Sequence, residues 1–459
     1  MSLHPSDFGP GFAWGVASSA YQTEGAYRTD GKGLSIWDSF CMQPGRIRDG
    51  SSGNTAADFY NRFIPDLILM QYLGIRNFRF SLSWPRILPG GTGARNEKGL
   101  DFYDRLIDFC LELGIEPWVT LYHWDLPQAL EDRGGWANRD ILNWFSEYVE
   151  TCVLRYGDRV RHWMVLNEPM VFTGAGYFLG IHAPGRKSLS AFLAAAHHAV
   201  LCQALGGRII RSLNGRCRAG TTFSASHIEP SGDTRPAREA ASRVDALTNR
   251  MFLEPLLGLG YPVGELKVLQ GIGQWHRDGD DALMAFDMDF IGVQNYTREV
   301  VRYSPLIPYL NARVVPAGRR GVPQTAMGWE VYPESIYAIL KKYSAYPGMP
   351  ELVVTENGAA FPDTVCDGVV HDPERIGYLS AYLEQVRKAR REGVRVEGYF
   401  LWTFTDNFEW AEGLSRRFGI VYTDFRTQKR LVKSSGYWLQ QFLREAAATE
   451  KSFLRSSDF

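Results

Sequence analysis

Two glutamates, Glu168 and Glu356, combine a reactive side chain with a position close behind a predicted strand. Each follows a short apolar run, His162–Leu166 in one case and Leu352–Thr355 in the other. Two carboxyl groups that face each other across a gap can cleave a glycosidic bond, because one protonates the leaving oxygen while the other attacks the sugar carbon or activates water. A separation of about 5–5.5 Å gives retention of configuration, and about 6.5–9.5 Å gives inversion. The sequence leaves this distance open.

Aromatic residues near other predicted strand ends point to the same chemistry. Most of the 13 Trp, 22 Tyr and 26 Phe are expected to pack in the core. Five tryptophans differ because they fall near strand ends beside polar groups, namely Trp84, Trp124, Trp329, Trp402 and Trp410. Aromatic rings against the apolar face of a sugar, with polar side chains that bind its hydroxyls, form a carbohydrate site.

Predicted strands and helices alternate along the chain and must position these side chains. The predicted strands are Phe12–Ala17, Arg76–Ser81, Glu116–Leu121, His162–Leu166, Ala219–Ser224, Phe290–Gln294, Leu352–Thr355 and Val396–Trp402. The helix-like segments are Leu100–Leu113, Ile141–Tyr156, Ser190–Leu213, Glu334–Tyr343 and Pro373–Glu392. This alternation predicts an α/β fold of eight βα units, a (β/α)8 TIM barrel, with a doubly wound sheet as the alternative. Strands four and seven lie on opposite sides of such a barrel, so Glu168 and Glu356 can face the same opening.

The length of the chain indicates where the remaining residues lie. Its 459 residues average about 57 per unit, against roughly 31 in a barrel of typical size. Because strands and barrel helices cannot lengthen much, we expect the surplus in long βα loops at the C-terminal face. Such loops surround a deep pocket where barrel enzymes hold their catalytic residues. We expect residues 1–459 to form a single catalytic barrel domain.

The charge and composition exclude several classes of partner. The 50 Lys+Arg and 51 Asp+Glu give a net charge of -1, so neither nucleic acid nor a membrane is expected. No segment has the ~18 uninterrupted apolar residues of a membrane span, and no secretory signal begins the chain, so a cytoplasmic location is expected. Six scattered cysteines predict reduced, buried thiols. No P-loop, GxSxG or HExxH motif is present, and no His cluster has zinc-ligand spacing, so no metal site is expected. The oligomeric state is not indicated.

Eight sequence blocks resemble those of glycoside hydrolase family 1, the β-glucosidase family. They extend from Phe12 to about Phe442 and read FAWGVASSAYQTEGA, RFSLSWPRILP, YHWDLPQAL, VLNEP, MGWEVYPE, LVVTENGAAF, GYFLWTFTDNFEW and RFGIVYTDF. The resemblance implies hydrolysis of terminal β-D-glucosyl residues by double displacement, with retention and without a cofactor. Some activity on β-galactosides and β-fucosides is also expected, since the same polar side chains can serve several epimers.

The same resemblance implies a role for each matching residue. Glu168 would be the acid/base and Glu356 the nucleophile. Tyr296 would hydrogen-bond the nucleophile, Arg79 would lie beneath it, and Trp329 would shape the leaving-group subsite. The residues that would hold the non-reducing sugar are Gln22, His123, Asn167, Trp402, Glu409 and Trp410. We expect His123 to act there as a neutral hydrogen-bond partner.

One position departs from the family pattern. The block of the sixth strand usually reads Asn-Tyr-Tyr, whereas here it reads Gln294-Asn295-Tyr296. The tyrosine is kept, but Gln294 is one methylene longer than Asn, which changes the local hydrogen bonding around the sugar. Farther along, the long loop Tyr303–Met327 is expected to help select the leaving group.

Three other functions remain as alternatives. A 6-phospho-β-glycosidase of the same family would need cationic or small groups after strand eight, where Glu409 and Trp410 stand. A thioglucosidase would typically lack the acid, but Glu168 is present. A non-catalytic sugar-binding barrel is expected to have lost one carboxylate, whereas this sequence has both Glu168 and Glu356.

Overall fold

Eight parallel strands form a closed barrel in the computed structural model, which describes residues 3–456. The barrel strands are β1 (Ala13–Ala17), β2 (Asn77–Ser81), β3 (Glu116–Tyr122), β4 (His162–Asn167), β5 (Arg218–Ser224), β6 (Phe290–Gln294), β7 (Glu351–Asn357) and β8 (Val396–Trp402). Each strand pairs with the next in the chain, and β1 pairs with both β2 and β8. The closed order confirms the predicted barrel and excludes the doubly wound sheet. Residues 1–2 and 457–459 of the predicted domain lie outside the described residues.

Helices connect the strands and supply the outer layer expected of this barrel. The longer ones are Phe59–Tyr72, Glu97–Glu112, Ile141–Tyr156, Leu189–Leu213, Arg235–Asp245, Glu334–Ser344, Pro373–Arg391 and Ser434–Ser456. Shorter α-helices lie at Ala20–Thr23, Ile36–Cys41, Trp84–Ile87, Gln128–Glu131, Pro169–Thr173, Leu253–Leu256, Asp280–Met284 and Ala317–Arg320. Leu189–Leu213 is the described helix whose length and apolar composition could span a membrane, but most of it is buried inside the fold.

Small sheets in the loops add to the barrel. A three-stranded sheet comprises His227–Pro230, Arg298–Tyr303 and Ala312–Val314. Two-stranded sheets pair Val365–Cys366 with Val369–Val370 and Val421–Thr423 with Arg430–Val432. The region Tyr303–Met327, predicted as a loop, therefore contains a strand and the helix Ala317–Arg320. That part of the prediction was wrong because Ala312–Val314 pairs with the preceding strand Arg298–Tyr303.

Several predicted boundaries move by one to three residues. The most relevant shift is in β7, which continues past Thr355 to Asn357 and so includes Glu356. Its pairing with β6 changes register between Val354 and Glu356. A register change of this kind is typical of β-bulges, which redirect side chains beside active sites. The nucleophile candidate is therefore held by the barrel wall rather than by a loop.

The barrel interior is filled below the strand ends. Trp118 packs against Phe290 and Phe400, with ring centroids 5.6 and 4.9 Å apart. Met164 belongs to the same buried cluster, and its sulfur lies 3.2 Å from Nε of Arg79. These side chains form a packed floor beneath the residues that were expected to do the chemistry.

The cysteines follow the sequence prediction only in part. All six are free, and Cys110, Cys152, Cys202 and Cys217 are buried as predicted. Cys41 is only half-buried, however, and Cys366 is exposed. The prediction was wrong for Cys366 because this residue lies in a two-residue strand of a surface hairpin, which cannot cover it.

Candidate active site

A cavity of about 500 Å³ lies at the C-terminal ends of the barrel strands. Its size is that of a small-molecule site. Nine of the twelve predicted site residues line it, namely His123, Glu168, Gln294, Tyr296, Trp329, Glu356, Trp402, Glu409 and Trp410. The other three, Gln22, Arg79 and Asn167, are fully buried and contact the lining residues from behind. The structure thus brings residues from distant parts of the chain around one opening.

Glu168 is turned into this cavity by the backbone at the end of β4. Its φ of 45° lies in the left-handed region, which non-glycine residues seldom adopt. The backbone N–H of Glu168 donates to the carbonyl of Thr222 at 3.0 Å, and its carbonyl accepts from Val171 at 2.9 Å. Pro169 then begins the short helix Pro169–Thr173. These contacts hold an unusual conformation that presents the carboxyl group to the cavity.

Glu356 has hydrogen-bond donors on both of its carboxylate oxygens. Oε1 accepts from Nη1 of Arg79 and, at 2.8 Å, from Nε2 of Gln294. Oε2 accepts from the hydroxyl of Tyr296 at 2.6 Å. All of these donors favour the ionised form of the carboxyl group. Glu356 is therefore oriented and held as an anion.

Behind the cavity, Arg79 and Asn167 connect the two sides of the site. The second Nη of Arg79 donates to Oδ1 of Asn167. Gln294 donates to the same oxygen at 2.7 Å, and Nδ2 of Asn167 lies 3.1 Å from Nε2 of His123. The longer side chain of Gln294 thus reaches both Asn167 and the carboxylate of Glu356. This network fixes the positions of His123 and Glu356 relative to each other.

The two carboxyl groups that face the cavity have different electrostatic surroundings. Burial raises the pKa of Glu168 well above its usual value, and the charge of Glu356 raises it further, while Arg79 opposes both effects. Burial also raises the pKa of Glu356 above its usual value, although the charge of Arg79 and the hydrogen bonds from Tyr296 and Arg79 oppose this rise. Protonated Glu168 beside ionised Glu356 is therefore the favoured arrangement near neutral pH.

Two further titratable groups border the cavity. Burial, together with the positive charge of Arg79, lowers the pKa of His123 well below its usual value, so this imidazole is neutral. Burial and the charge of Glu356 raise the pKa of Glu409 to about 8. Nε2 of Gln22 lies 3.3 Å from Oε2 of Glu409 and also donates to the carbonyl of Phe408 at 3.0 Å. Glu409 can therefore exchange hydrogen bonds with hydroxyl groups in either protonation state.

Aromatic rings form one wall of the site. His123 stacks near Trp402 and Trp410, with ring centroids 5.9 Å away in each case. Trp124 also lines the cavity and packs 4.5 Å from Trp410. Trp84 does not take part, because it is fully buried, stacks on Tyr148 at 4.6 Å and donates to the carbonyl of Gly91. Its assignment to a sugar site was wrong.

Several lining residues were not predicted from the sequence. Ser224 ends the predicted fifth strand, so the strand-end criterion could have identified it. His182 packs between Trp37 and Trp124 at 5.3 and 5.8 Å, and burial lowers its pKa to about 4. His182 and Glu299 lie in excursions beyond the barrel strands. No periodic pattern in the sequence marks such positions.

Comparisons with known proteins agree with this arrangement. A family model described as "Glycosyl hydrolase family 1" matches residues 4–447. The chain is 44% identical to β-glucosidase A of Thermotoga maritima over 95% of this chain and 97% of that protein. It is 39% identical to a bifunctional β-D-glucosidase/β-D-fucosidase of Bifidobacterium breve, over 96% and 99% of the two chains.

Solved structures give the same result. A Thermotoga maritima family 1 glycoside hydrolase complexed with a cyclophellitol analogue superposes with a TM-score of 0.91 at 44% identity. The match covers 95% of this chain and 98% of that one. The resemblance noted in the sequence blocks is therefore confirmed over nearly the whole length, and the chain belongs to glycosyl hydrolase family 1.

Proposed function

We propose that the protein is a retaining β-glucosidase in which Glu356 is the nucleophile and Glu168 the acid/base. This proposal rests on one observation, that two carboxyl groups in one cavity have different hydrogen-bonding and electrostatic surroundings. Glu356 accepts hydrogen bonds from three side chains, whereas burial and the charge of Glu356 keep Glu168 protonated. One group is thus prepared to attack a sugar carbon and the other to give up a proton.

In the first step the glycosidic bond breaks and an ester forms. Oε2 of Glu356 attacks the anomeric carbon, since this oxygen is held by one donor while Oε1 is held by two. Glu168 transfers its proton to the glycosidic oxygen, and the alcohol leaves. The charge left on Oε1 is stabilised by Arg79 and Gln294 while the ester bond forms. The sugar is then attached to Glu356 in the α configuration.

In the second step water replaces the enzyme on the sugar. Once Glu356 is esterified it carries no charge, so the pKa of Glu168 falls. Glu168, now ionised, takes a proton from a water whose oxygen attacks the anomeric carbon. The ester bond breaks, Glu356 is released as a carboxylate, and the product is the β anomer. Two inversions give net retention.

The polar groups around the inner cavity suit the hydroxyl groups of a terminal glucosyl residue. Glu409, supported by Gln22, and neutral His123 offer donors and acceptors, and Trp402 and Trp410 offer aromatic faces. These hydrogen-bonding and aromatic groups can bind more than one sugar epimer. Activity on β-fucosides and β-galactosides at a lower rate is therefore part of the proposal, and a bifunctional relative acts on both glucosides and fucosides.

The test uses azide as a substitute for the missing carboxylate. Glu356→Gly should lose hydrolysis of an activated aryl β-glucoside, and added azide should restore turnover by attack on the α face, giving the α-glucosyl azide. Glu168→Gly should still form the glycosyl-enzyme from the same activated substrate, and azide should then give the β-glucosyl azide. Proton NMR of the two products distinguishes the anomers. If the two variants gave the opposite anomers, the roles would be reversed, and if neither variant lost activity, the proposal would fail.

A further inference from the structure

The outer part of the cavity contains a carboxyl group that the hydrolytic mechanism does not use. Glu299 lines the same cavity as Glu356 and Trp329, and it lies three residues after Tyr296. Three residues of extended chain span at most about 10 Å. Glu299 also lies five residues beyond the C-terminal end of β6 at Gln294, outside the barrel strands, and we place it on the outer side of the cavity, beside the group that leaves when the glycosidic bond breaks.

The side chain of Glu299 is directed toward the cavity by its strand. Glu299 belongs to Arg298–Tyr303, in which successive side chains point to opposite faces. Arg298 points away from the cavity, where it donates to Glu330 at 2.9 Å and to Glu229 and lies 3.7 Å over the ring of Tyr332. By this alternation the side chain of Glu299 points to the opposite face from Arg298, toward the cavity.

The side chain of Glu299 has no hydrogen bond or ion pair with any residue in the described part of the chain, although the residue is half-buried. The positive charge of Arg320 acts on Glu299, but Arg320 is already ion-paired with Glu330 at 2.7 Å. Burial raises the pKa of Glu299 to about 7, and Arg320 opposes this shift. A half-buried carboxylate without a protein partner leaves its acceptor positions free for water or for a hydroxyl group of a bound molecule.

The surroundings of Glu299 indicate the kind of molecule that would supply such a hydroxyl group. Val171, Ile181, Met327 and Trp329 contribute apolar surface to the same cavity. An amphipathic leaving group, with apolar faces and hydroxyl groups at its edges, fits this combination. A sugar has these properties, whereas a plain aryl or alkyl group has no hydroxyl to offer.

We propose that Glu299 determines leaving-group specificity by accepting a hydrogen bond from a hydroxyl of the sugar next to the scissile bond. Loss of this carboxylate should therefore weaken the preference of the enzyme for β-linked glucose oligosaccharides over simple aryl β-glucosides. This inference rests on the proposed β-glucosidase function. It concerns the leaving group only, because the glucosyl-enzyme formed from either kind of substrate is the same.

The test compares two substrates in wild type and Glu299→Gln. Above pH 7, where the assay is run, the carboxyl group of Glu299 is mostly ionised, and a hydrogen bond to a charged group contributes enough for about a tenfold effect or more. We expect kcat/KM for a β-1,4-linked glucose disaccharide to fall about tenfold, mainly through KM, while kcat/KM for a nitrophenyl β-glucoside changes less than twofold. Activity on the aryl substrate also shows that the variant is folded. Glu299→Ala serves as a second variant and should enlarge the difference.

Glu229→Gln is the matched control, since Glu229 is a nearby carboxylate that pairs with Arg298 outside the cavity lining. The ratio of the two kcat/KM values should stay at its wild-type level in this variant. Equal losses on both substrates in Glu299→Gln, or no change in the ratio, would overturn the inference. Failure of the underlying function would look different, because the wild-type protein would then hydrolyse neither substrate.

Discussion

The hydrogen bond from Tyr296 to Glu356 gives a quantitative prediction about the pH dependence of the enzyme. Tyr296→Phe removes one hydroxyl group and keeps the ring, which packs 5.3 Å from Trp329. In the wild type the hydroxyl donates to Oε2 of Glu356 at 2.6 Å. Burial and the charge of Glu356 keep the pKa of Tyr296 well above its usual value, so the hydroxyl remains a donor throughout the working range.

The direction and size of the effect follow from this contact. The hydrogen bond favours the anion and so lowers the pKa of Glu356; without it that pKa rises. A hydrogen bond to a charged group contributes about 1.5–3 kcal/mol, and one pKa unit corresponds to about 1.36 kcal/mol. The acid limb of kcat/KM should therefore move upward by about one to two pH units. Because the two carboxyl groups titrate as a pair, the limb reports the pair.

The assay is the pH dependence of kcat/KM for an aryl β-glucoside, which reports the ionisation of the free enzyme. Tyr382→Phe is the matched control, because the hydroxyl of Tyr382 donates to the backbone carbonyl of Tyr296 at 3.0 Å rather than to the carboxylate. Its acid limb should coincide with that of the wild type. An acid limb in Tyr296→Phe that stays in place or moves downward would refute the reasoning, as would an equal displacement in the control.

Two other substitutions have expected outcomes. Gln294→Asn withdraws the amide group that donates to Glu356 at 2.8 Å, so kcat/KM for an aryl β-glucoside should fall about tenfold or more. The circular dichroism spectrum should stay unchanged. An unchanged kcat/KM would show that this contact is dispensable. Lys433→Met removes the buried amine that contacts Asp363 and Asp406, whose remaining partners are Arg375 and Arg417, and the free energy of unfolding in urea should fall by about 1.5–3 kcal/mol. Lys429→Met, at an exposed position, should change it by less than about 0.5 kcal/mol, and similar losses in both variants would contradict the role of the buried pairs.

The barrel and the centre of the site could be predicted from the sequence because both depend on local patterns. The buried strands are short apolar runs, and β6, β8 and the helix Ile141–Tyr156 have the predicted bounds. The side chain that follows such a run is directed to the C-terminal rim. That rule alone brings Glu168 and Glu356 to the same opening.

The errors arose where tertiary packing decides the outcome. The helix Phe59–Tyr72 was not predicted, since it contains Pro65 and leaves Ile64 and Ile68 about half exposed, which obscures its apolar face. Trp84 follows a strand end as the site tryptophans do, yet it points into the protein interior and stacks on Tyr148. The direction of a side chain in a loop depends on neighbours distant in sequence, so no local pattern could distinguish it.

In the proposed mechanism, the charge balance of the cavity explains how Glu168 can serve as both acid and base. Glu168, Glu356 and Glu409 are all buried around the cavity. Arg79 forms an ion pair with Glu356, and its positive charge also acts on Glu168. In the free enzyme the charge of Arg79 is balanced by Glu356, and burial favours a proton on Glu168. Esterification removes the charge of Glu356 but leaves that of Arg79, which lowers the pKa of Glu168. Glu168, which has given its proton to the leaving group, therefore stays ionised at the stage when the incoming water needs a base, so the formation of the ester itself switches the role of the second carboxyl group.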